Sequence, residues 1–284
     1  MTKLRLKREA VDAALDRILP QEENQLGEAM RYAVFSGGKR FRPLLALSSG
    51  ECFELKQDDV LPFGCALELI HNYSLIHDDL PLMDDDDFRR SKPSCHKAFG
   101  EDIALLAGDS LLTLAFEVLA SAPWDASNLI RKERMIEEIA WSAGVRGMVG
   151  GQLLDISLTL DKLTEDSLYD LMAKKTGALI LAAVKVGPIL AGGSAFELQK
   201  MIEYGENIGL AFQMRDDILD STEFSSQDSP QHPSAAFYFG LEGARDRLKK
   251  HVQAALKALN SASLASEELR YLASRLLELK EKDG

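Results

Sequence analysis

The chain reads as all-α. Three observations predict it: alternation of apolar and polar residues with period two is nearly absent, Leu, Ala, Glu and Met recur at helical spacing almost throughout, and the apolar runs stop at capping residues, glycine or proline. Helices are expected near 3–19, 21–35, 40–53, 58–80, 101–121, 127–143, 145–158, 165–187, 194–220, 238–259 and 265–280. Thr164 has the character of an N-cap, since Glu165 and Asp166 follow it where a helix dipole favours negative charge. Gly187-Pro188 and Gly192-Gly193 are expected to break the pattern later. The stretch from Ser221 to Gly240, rich in Ser, Pro and Gln, is expected to be a mobile loop. No linker is long or polar enough to divide the chain, so residues 1–284 are read as a single domain.

Composition narrows the function. A net charge of -12 argues against a nucleic-acid binder, which needs a basic footprint. Basic residues are local instead: Gly37-Gly38-Lys39-Arg40-Phe41-Arg42-Pro43, Arg89-Arg90 and Lys174-Lys175-Thr176 stand out. Cys52, Cys65 and Cys95 lack metal-type spacing and read as reduced thiols of a cytoplasmic protein. The N-terminus has no apolar stretch of signal-peptide length, and no credible membrane span is expected. Asp109 interrupts the apolar run 103–120, and Lys185 with Pro188 interrupts 178–191.

Two aspartate clusters carry the chemistry. Asp78-Asp79 and Asp84 to Asp87 form the first; Asp216-Asp217 and Asp220 form the second, and each ends an apolar helical run. Carboxylates packed this densely repel one another unless solvated or sharing cations, and oxygen ligands suit a hard ion such as magnesium. Asp216 and Asp220 are i and i+4 with Gln213 a turn earlier, so one helix face carries an amide and two carboxylates. Asp217 sits about 100° round, still within reach. Asp78 and Asp84 would point about 240° apart on an ideal helix, but Pro81 removes a backbone donor between them. The helix is expected to end there, leaving Asp84 to swing back towards Asp78. His71, Ser74 and Asp78 share a stripe upstream.

In order, the chain holds GGKRFRP at 37–43, HNYSLIHDDLPLMDDDDFRR at 71–90, KP at 92–93 with His96, AGD at 107–109, GGQ at 150–152 with Asp155, KT at 175–176, and FQMRDDILD at 212–220. This ordered series resembles the trans-isoprenyl diphosphate synthases, most closely the bacterial farnesyl diphosphate synthases. The resemblance implies an isoprenoid-synthase-type helical bundle around a deep central cavity, usually a homodimer, with magnesium as cofactor, about three ions per site. It further implies condensation of isopentenyl diphosphate with dimethylallyl or geranyl diphosphate, giving farnesyl diphosphate by ionisation, condensation and proton loss.

Carried over residue by residue, Asp78, Asp84 and Asp216 look like the principal magnesium ligands. Asp79, Asp217 and Asp220 look like partial participants. Arg89, Lys175, Thr176 and Gln213 look like allylic-diphosphate contacts, and Lys39, Arg42, His71 and Arg90 like the isopentenyl diphosphate pocket. Tyr73, five residues before Asp78, is similar to the chain-length stop of short-chain bacterial synthases, although Ser74 lies more nearly below Asp78 by ideal geometry.

The departure follows Asp220. The family normally carries a Gly-Lys there and a further lysine downstream, whereas 221–240 contains neither lysine nor arginine. A weaker allylic affinity is expected. A geranylgeranyl diphosphate synthase, a class I terpene cyclase and a non-catalytic partner subunit of a prenyl synthase are the competing readings. A cyclase would not need Lys39, Arg42 and His71, and a non-catalytic subunit would be expected to lose aspartates.

Overall fold

The computed structural model describes residues 2–21, 24–124, 128–223, 233–264 and 266–279, with the side chains of 222 and 223 also outside the description. It is helical almost throughout. The backbone separates into two compact units, Met1–Leu47 with Lys56–Asp125, and Ser48–Leu55 with Ala126–Asp283.

The first unit is built from α1 (Thr2–Ile18), α2 (Gln25–Phe35), the start of α3 (Phe41–Cys52), α4 (Gln57–Asp78), a hairpin of β1 (Phe88–Arg89) and β2 (Lys92–Pro93), α5 (Cys95–Phe99) and α6 (Glu101–Ser121). Asn24 caps α2, its Oδ1 accepting from the Gly27 N–H at 2.8 Å. Phe63, Leu67, Leu69 and Ile70 of α4 are fully buried, as are Leu111 and Leu119 of α6, which packs along α4. Burial of this kind stabilises by about 1.5–3 kcal/mol per large side chain. By length and composition α6 could cross a membrane, yet only part of it is covered here, and Leu105 and Leu106 are exposed.

The second unit contains α7 (Leu129–Ala143), α8 (Met148–Ser157), a 3-10 turn at Leu160–Lys162, α9 (Glu165–Met172), a π-helical turn at Ala173–Gly177, α10 (Ala178–Ala191), α11 (Ala195–Glu223), α12 (Ala235–Ser261) and α13 (Glu267–Arg275). Thr164 is the N-cap of α9, paired reciprocally with Ser167 in a capping box. α11 packs against α10 and α12, and the buried Tyr204 hydroxyl donates to the Leu269 carbonyl at 2.8 Å.

Several expectations are corrected. The helix expected over 165–187 is α9, a π turn and α10, and it runs through Pro188 to end at Gly192, whose backbone is left-handed. Proline has no N–H for the Val184 carbonyl, so that oxygen would be orphaned. The Ser49 hydroxyl donates to it at 2.6 Å and accepts from the Gly187 N–H at 3.2 Å. Gly187 is required for this approach, because a Cβ there would lie 2.4 Å from the Ser49 carbonyl oxygen. The β1–β2 hairpin and α5 were not expected from the pattern. The helix expected over 238–259 starts at Ala235, with a break at Gly240 (φ 70, ψ 162). Of the expected mobile loop, 221–240, residues 224–232 lie outside the described residues, whereas 221–223 belong to α11 and 235–240 to α12.

Candidate active site

The first aspartate cluster sits where α4 ends. With Pro81 breaking the helix, the backbone closes on itself: Met83 N–H donates to the Leu80 carbonyl at 2.8 Å and Asp84 N–H to the Asp78 carbonyl at 2.9 Å. Asp85 adopts a left-handed conformation (φ 52) to complete the turn. The turn brings the backbone of Asp84 back to that of Asp78, with Asp78 half-buried and Asp84 exposed. Asp79 differs, being 2% exposed. Burial raises its pKa, and the Arg89 guanidinium, which donates from Nε at 2.9 Å and from Nη2 to the same oxygen, opposes the rise. Arg89 Nη2 also reaches Asp86 Oδ2 at 3.0 Å.

The hairpin holds the two arginines apart. Arg90 and Ser91 occupy its turn with φ of 53 and 62, left-handed positions normally given to Gly or Asn. The Arg90 side chain reaches the Gly37-Gly38 loop, where Nη1 donates to the Gly37 carbonyl at 2.6 Å. Gly38 (φ 114) holds a conformation that favours glycine, and a Cβ there would displace the Arg90 guanidinium, standing 2.8 Å from Nη1. A cavity of about 20 Å³, lined among others by Asp79, Arg89, Arg90 and Asn72, lies behind the hairpin.

Within the basic loop the three cations diverge. Lys39 is exposed. Arg40 is 4% exposed and spent internally: its guanidinium donates to Asp12 at 2.8 Å, Glu68 at 2.9 Å and the Val34 carbonyl at 2.8 Å. Arg42 is buried, and with Arg90, Arg89 and Arg40 it adds to burial in pushing His71 well below the ordinary imidazole range. A neutral imidazole beside arginines leaves the region positive without a further buried charge.

On α4, Tyr73 is buried and its ring meets the His77 ring edge-on at 5.7 Å. Burial, with Asp78 adding, raises its phenol to about 12. Ser74 is half-buried and donates to the His71 carbonyl at 2.9 Å.

In the second unit, the lysine pair lies in the π turn and its two members take different partners. Lys174 pairs with Asp170 at 2.7 Å on an open face, whereas Lys175 turns to Asp155 of α8. Thr176 Oγ1 donates to Gln213 Oε1 at 2.5 Å. Asp216 and Asp220 are half-buried, Asp216 lying 3.4 Å from Arg215, whose Nη2 donates to the Glu278 carbonyl at 3.3 Å. Asp217, which the helical wheel left within reach of the same face, is turned inward: it accepts from Gln213 Nε2 at 2.7 Å and from the Ala235 N–H at 2.6 Å. Burial lifts its pKa to about 6. Sequence reasoning gave no role to Asp155 or Glu68; each is the acidic partner of a basic motif, at a separation that no motif spacing reveals.

The donor set is all oxygen, which fits a hard cation. Among the described residues no three His, Cys, Asp or Glu are gathered closely enough to hold a metal by themselves. Magnesium characteristically takes one or two carboxylates and completes its shell with water and substrate phosphate, so this sparse set fits an ion that arrives with a diphosphate.

The sequence profile of the polyprenyl synthetase family matches residues 23–230. A farnesyl diphosphate synthase of Geobacillus stearothermophilus is 39% identical over 94% of this chain and 93% of its own length. The large subunit 1 of a heterodimeric geranylgeranyl pyrophosphate synthase of Arabidopsis thaliana is 45% identical over 78% of the chain, which spans 61% of that protein. Among solved structures, an FPP/GFPP synthase from Zymomonas mobilis is similar with a TM-score of 0.88 at 34% identity, covering 97% of this chain and 98% of the other. With the profile over most of its length and relatives near 40% identity end to end, the chain belongs to the polyprenyl synthetase family.

Proposed function

We propose that the chain is a short-chain trans-prenyltransferase that condenses isopentenyl diphosphate with dimethylallyl and then geranyl diphosphate, releasing pyrophosphate and yielding farnesyl diphosphate. The observation that carries this reading is the turn joining Asp84 N–H to the Asp78 carbonyl, which returns the backbone of Asp84 to that of Asp78. Asp78 and Asp84 in one unit, and Asp216 and Asp220 in the other, are assigned as magnesium ligands. When bound, magnesium supplies Lewis-acid neutralisation of the departing pyrophosphate. Lys175, Gln213 and Arg89 are assigned to the allylic diphosphate, and Thr176 to holding the Gln213 oxygen. The first of these must exchange Asp155 for phosphate, and Arg89 must do the same with Asp79 or Asp86. Lys39, Arg42 and Arg90, with neutral His71, are assigned to the diphosphate that stays intact, which direct cationic contacts hold without activating it.

Farnesyl as the end point is supported by buried Tyr73 below the first cluster and by relatives described as farnesyl diphosphate synthases. Geranylgeranyl diphosphate is the second reading, favoured by plant relatives of that description at 43–45% identity. A homodimer is also assigned, on the exposed apolar residues Leu105 and Leu106 of α6. Incubating the purified chain with isopentenyl and dimethylallyl diphosphates and magnesium, then separating the dephosphorylated products, tests the proposal. A C15 alcohol supports it, a C20 alcohol selects the second reading, and no product from the chain alone rejects both.

A further inference from the structure

Asp217 joins two features that the proposed function treats separately. One oxygen accepts from Gln213 Nε2 at 2.7 Å; the other accepts from the Ala235 N–H at 2.6 Å, at the first residue of α12. Gln213 Oε1 in turn accepts from Thr176 Oγ1 at 2.5 Å, so an unbroken line of hydrogen bonds runs from the π turn through α11 to α12. An ionised carboxylate only accepts and a backbone N–H only donates, so both partners of Asp217 are fixed in sense. Gln213 must therefore present its NH2 to Asp217 and its oxygen to Thr176, whose hydroxyl proton is spent on that oxygen. A diphosphate oxygen also only accepts. Of this pair, the group left to serve it is the second N–H of Gln213.

We propose that Asp217 is a positioning residue, which fixes the amide orientation of Gln213 for the allylic diphosphate and clasps the first turn of α12 to α11. The proposal rests on the functional reading above through Gln213 and Thr176. It assigns Asp217 no metal, unlike its neighbours Asp216 and Asp220. Ser234 caps the same turn locally, its Oγ accepting from the Phe237 N–H at 3.2 Å, so Asp217 is the longer-range of the two restraints.

Asp217→Asn separates the two duties. Its single oxygen stays with the Ala235 N–H, which cannot turn over, and its NH2 faces Gln213. The Gln213 amide then flips, places its own NH2 on Thr176, and moves its outward N–H to the other side. No hydrogen bond is lost, but the polarity reverses. The expected result is unchanged hydrogen exchange at the start of α12, a Michaelis constant for geranyl diphosphate raised about tenfold, and values for isopentenyl diphosphate and magnesium within about twofold. Asp217→Ala should raise the same constant and also speed exchange of the Ala235 amide.

If Asp217→Asn leaves the geranyl diphosphate constant unchanged, the proposal is overturned; if it raises the magnesium requirement instead, the proposal is overturned and Asp217 acts as a ligand. Should Asp217→Ala fail to fold, the asparagine variant decides alone. Absence of prenyl transfer by the unsubstituted chain would instead reject the functional reading. The exchange measurement still judges the clasp in that case, since unchanged Ala235 exchange in folded Asp217→Ala overturns it.

Discussion

The backbone N–H of Asp84 donates to the carbonyl of Asp78 at 2.9 Å, across a segment whose proline prevents α4 from continuing. Six residues of separation, which an ideal helix would convert into different faces, become a turn that returns to its start. Asp78 stays on the last turn of α4, half-buried, while Asp84 is past the helix end and exposed. Asp78→Ala and Asp216→Ala are therefore expected to lower turnover by at least about a thousandfold while leaving thermal unfolding nearly unchanged, since the lost groups neutralise leaving-group charge. Steady-state rates at saturating magnesium, beside a melting curve, check this; near-normal turnover in either variant would refute the assignment.

Arg40 and Arg42, two residues apart in the GGKRFRP loop, should behave oppositely. Arg40 is the buried partner of Glu68 at 2.9 Å and of Asp12 at 2.8 Å, so Arg40→Ala strands a carboxylate that is 2% exposed. Breaking such a pair costs about 3–5 kcal/mol, visible in urea unfolding. Arg42→Ala and Lys39→Ala should cost less stability and raise the Michaelis constant for isopentenyl diphosphate more than that for the allylic substrate. Equal increases in both constants would sink the division of the two diphosphates.

His71 gives the stability curve a predictable slope. Its folded pKa lies well below the 6.5 of an ordinary imidazole, so below that value the unfolded chain binds a proton that the folded chain refuses. Stability attributable to His71 is present above pH 6.5 and is lost as pH falls beneath it. Asp217 works in the opposite sense: its pKa is raised from 3.8 to about 6, so its contribution falls as pH rises through that interval. The difference between the unsubstituted chain and His71→Gln, followed from pH 8 to about 5 without magnesium, isolates the first effect. Parallel melting-temperature profiles would show that His71 titrates normally.

Tyr73 and not Ser74 is expected to set product length. Tyr73 is buried with its ring against His77, while the smaller Ser74 spends its hydroxyl on the His71 carbonyl. Tyr73→Ala should shift the dephosphorylated products to chains longer than those of the unsubstituted enzyme. Ser74→Ala should leave them unchanged, and a shift in the serine variant alone would reverse the assignment.

Legibility in the sequence followed periodicity. Helices such as α4, α6 and α7 were readable to within a few residues because their apolar spacing spans several turns. The β1–β2 hairpin was invisible because Arg90 and Ser91 hold left-handed turn positions without the Gly or Asn that would announce them. The π turn at Ala173–Gly177, which holds both Lys174 and Lys175, was equally hidden, as one inserted residue barely disturbs the apolar pattern. For the site, the aspartates were readable as clusters, but the inward turn of Asp79 and Asp217 was not. Their partners, Arg89 and the Ala235 N–H, are set by tertiary packing.

Pro188 shows the same limit and yields the last prediction. A glycine-proline pair inside an apolar run reads as a helix end, but α10 continues because Ser49, far away in sequence, takes over the Val184 carbonyl that proline cannot serve. Ser49→Ala should cost about 1–3 kcal/mol, the desolvation of a buried group left unmade. Pro188→Ala restores an N–H for that carbonyl, so it should stabilise the Ser49→Ala background more than it stabilises the unsubstituted chain. A double-mutant cycle in urea reads this coupling directly. Strictly additive changes would mean that Ser49 packs beside α10 without replacing the missing helical hydrogen bond.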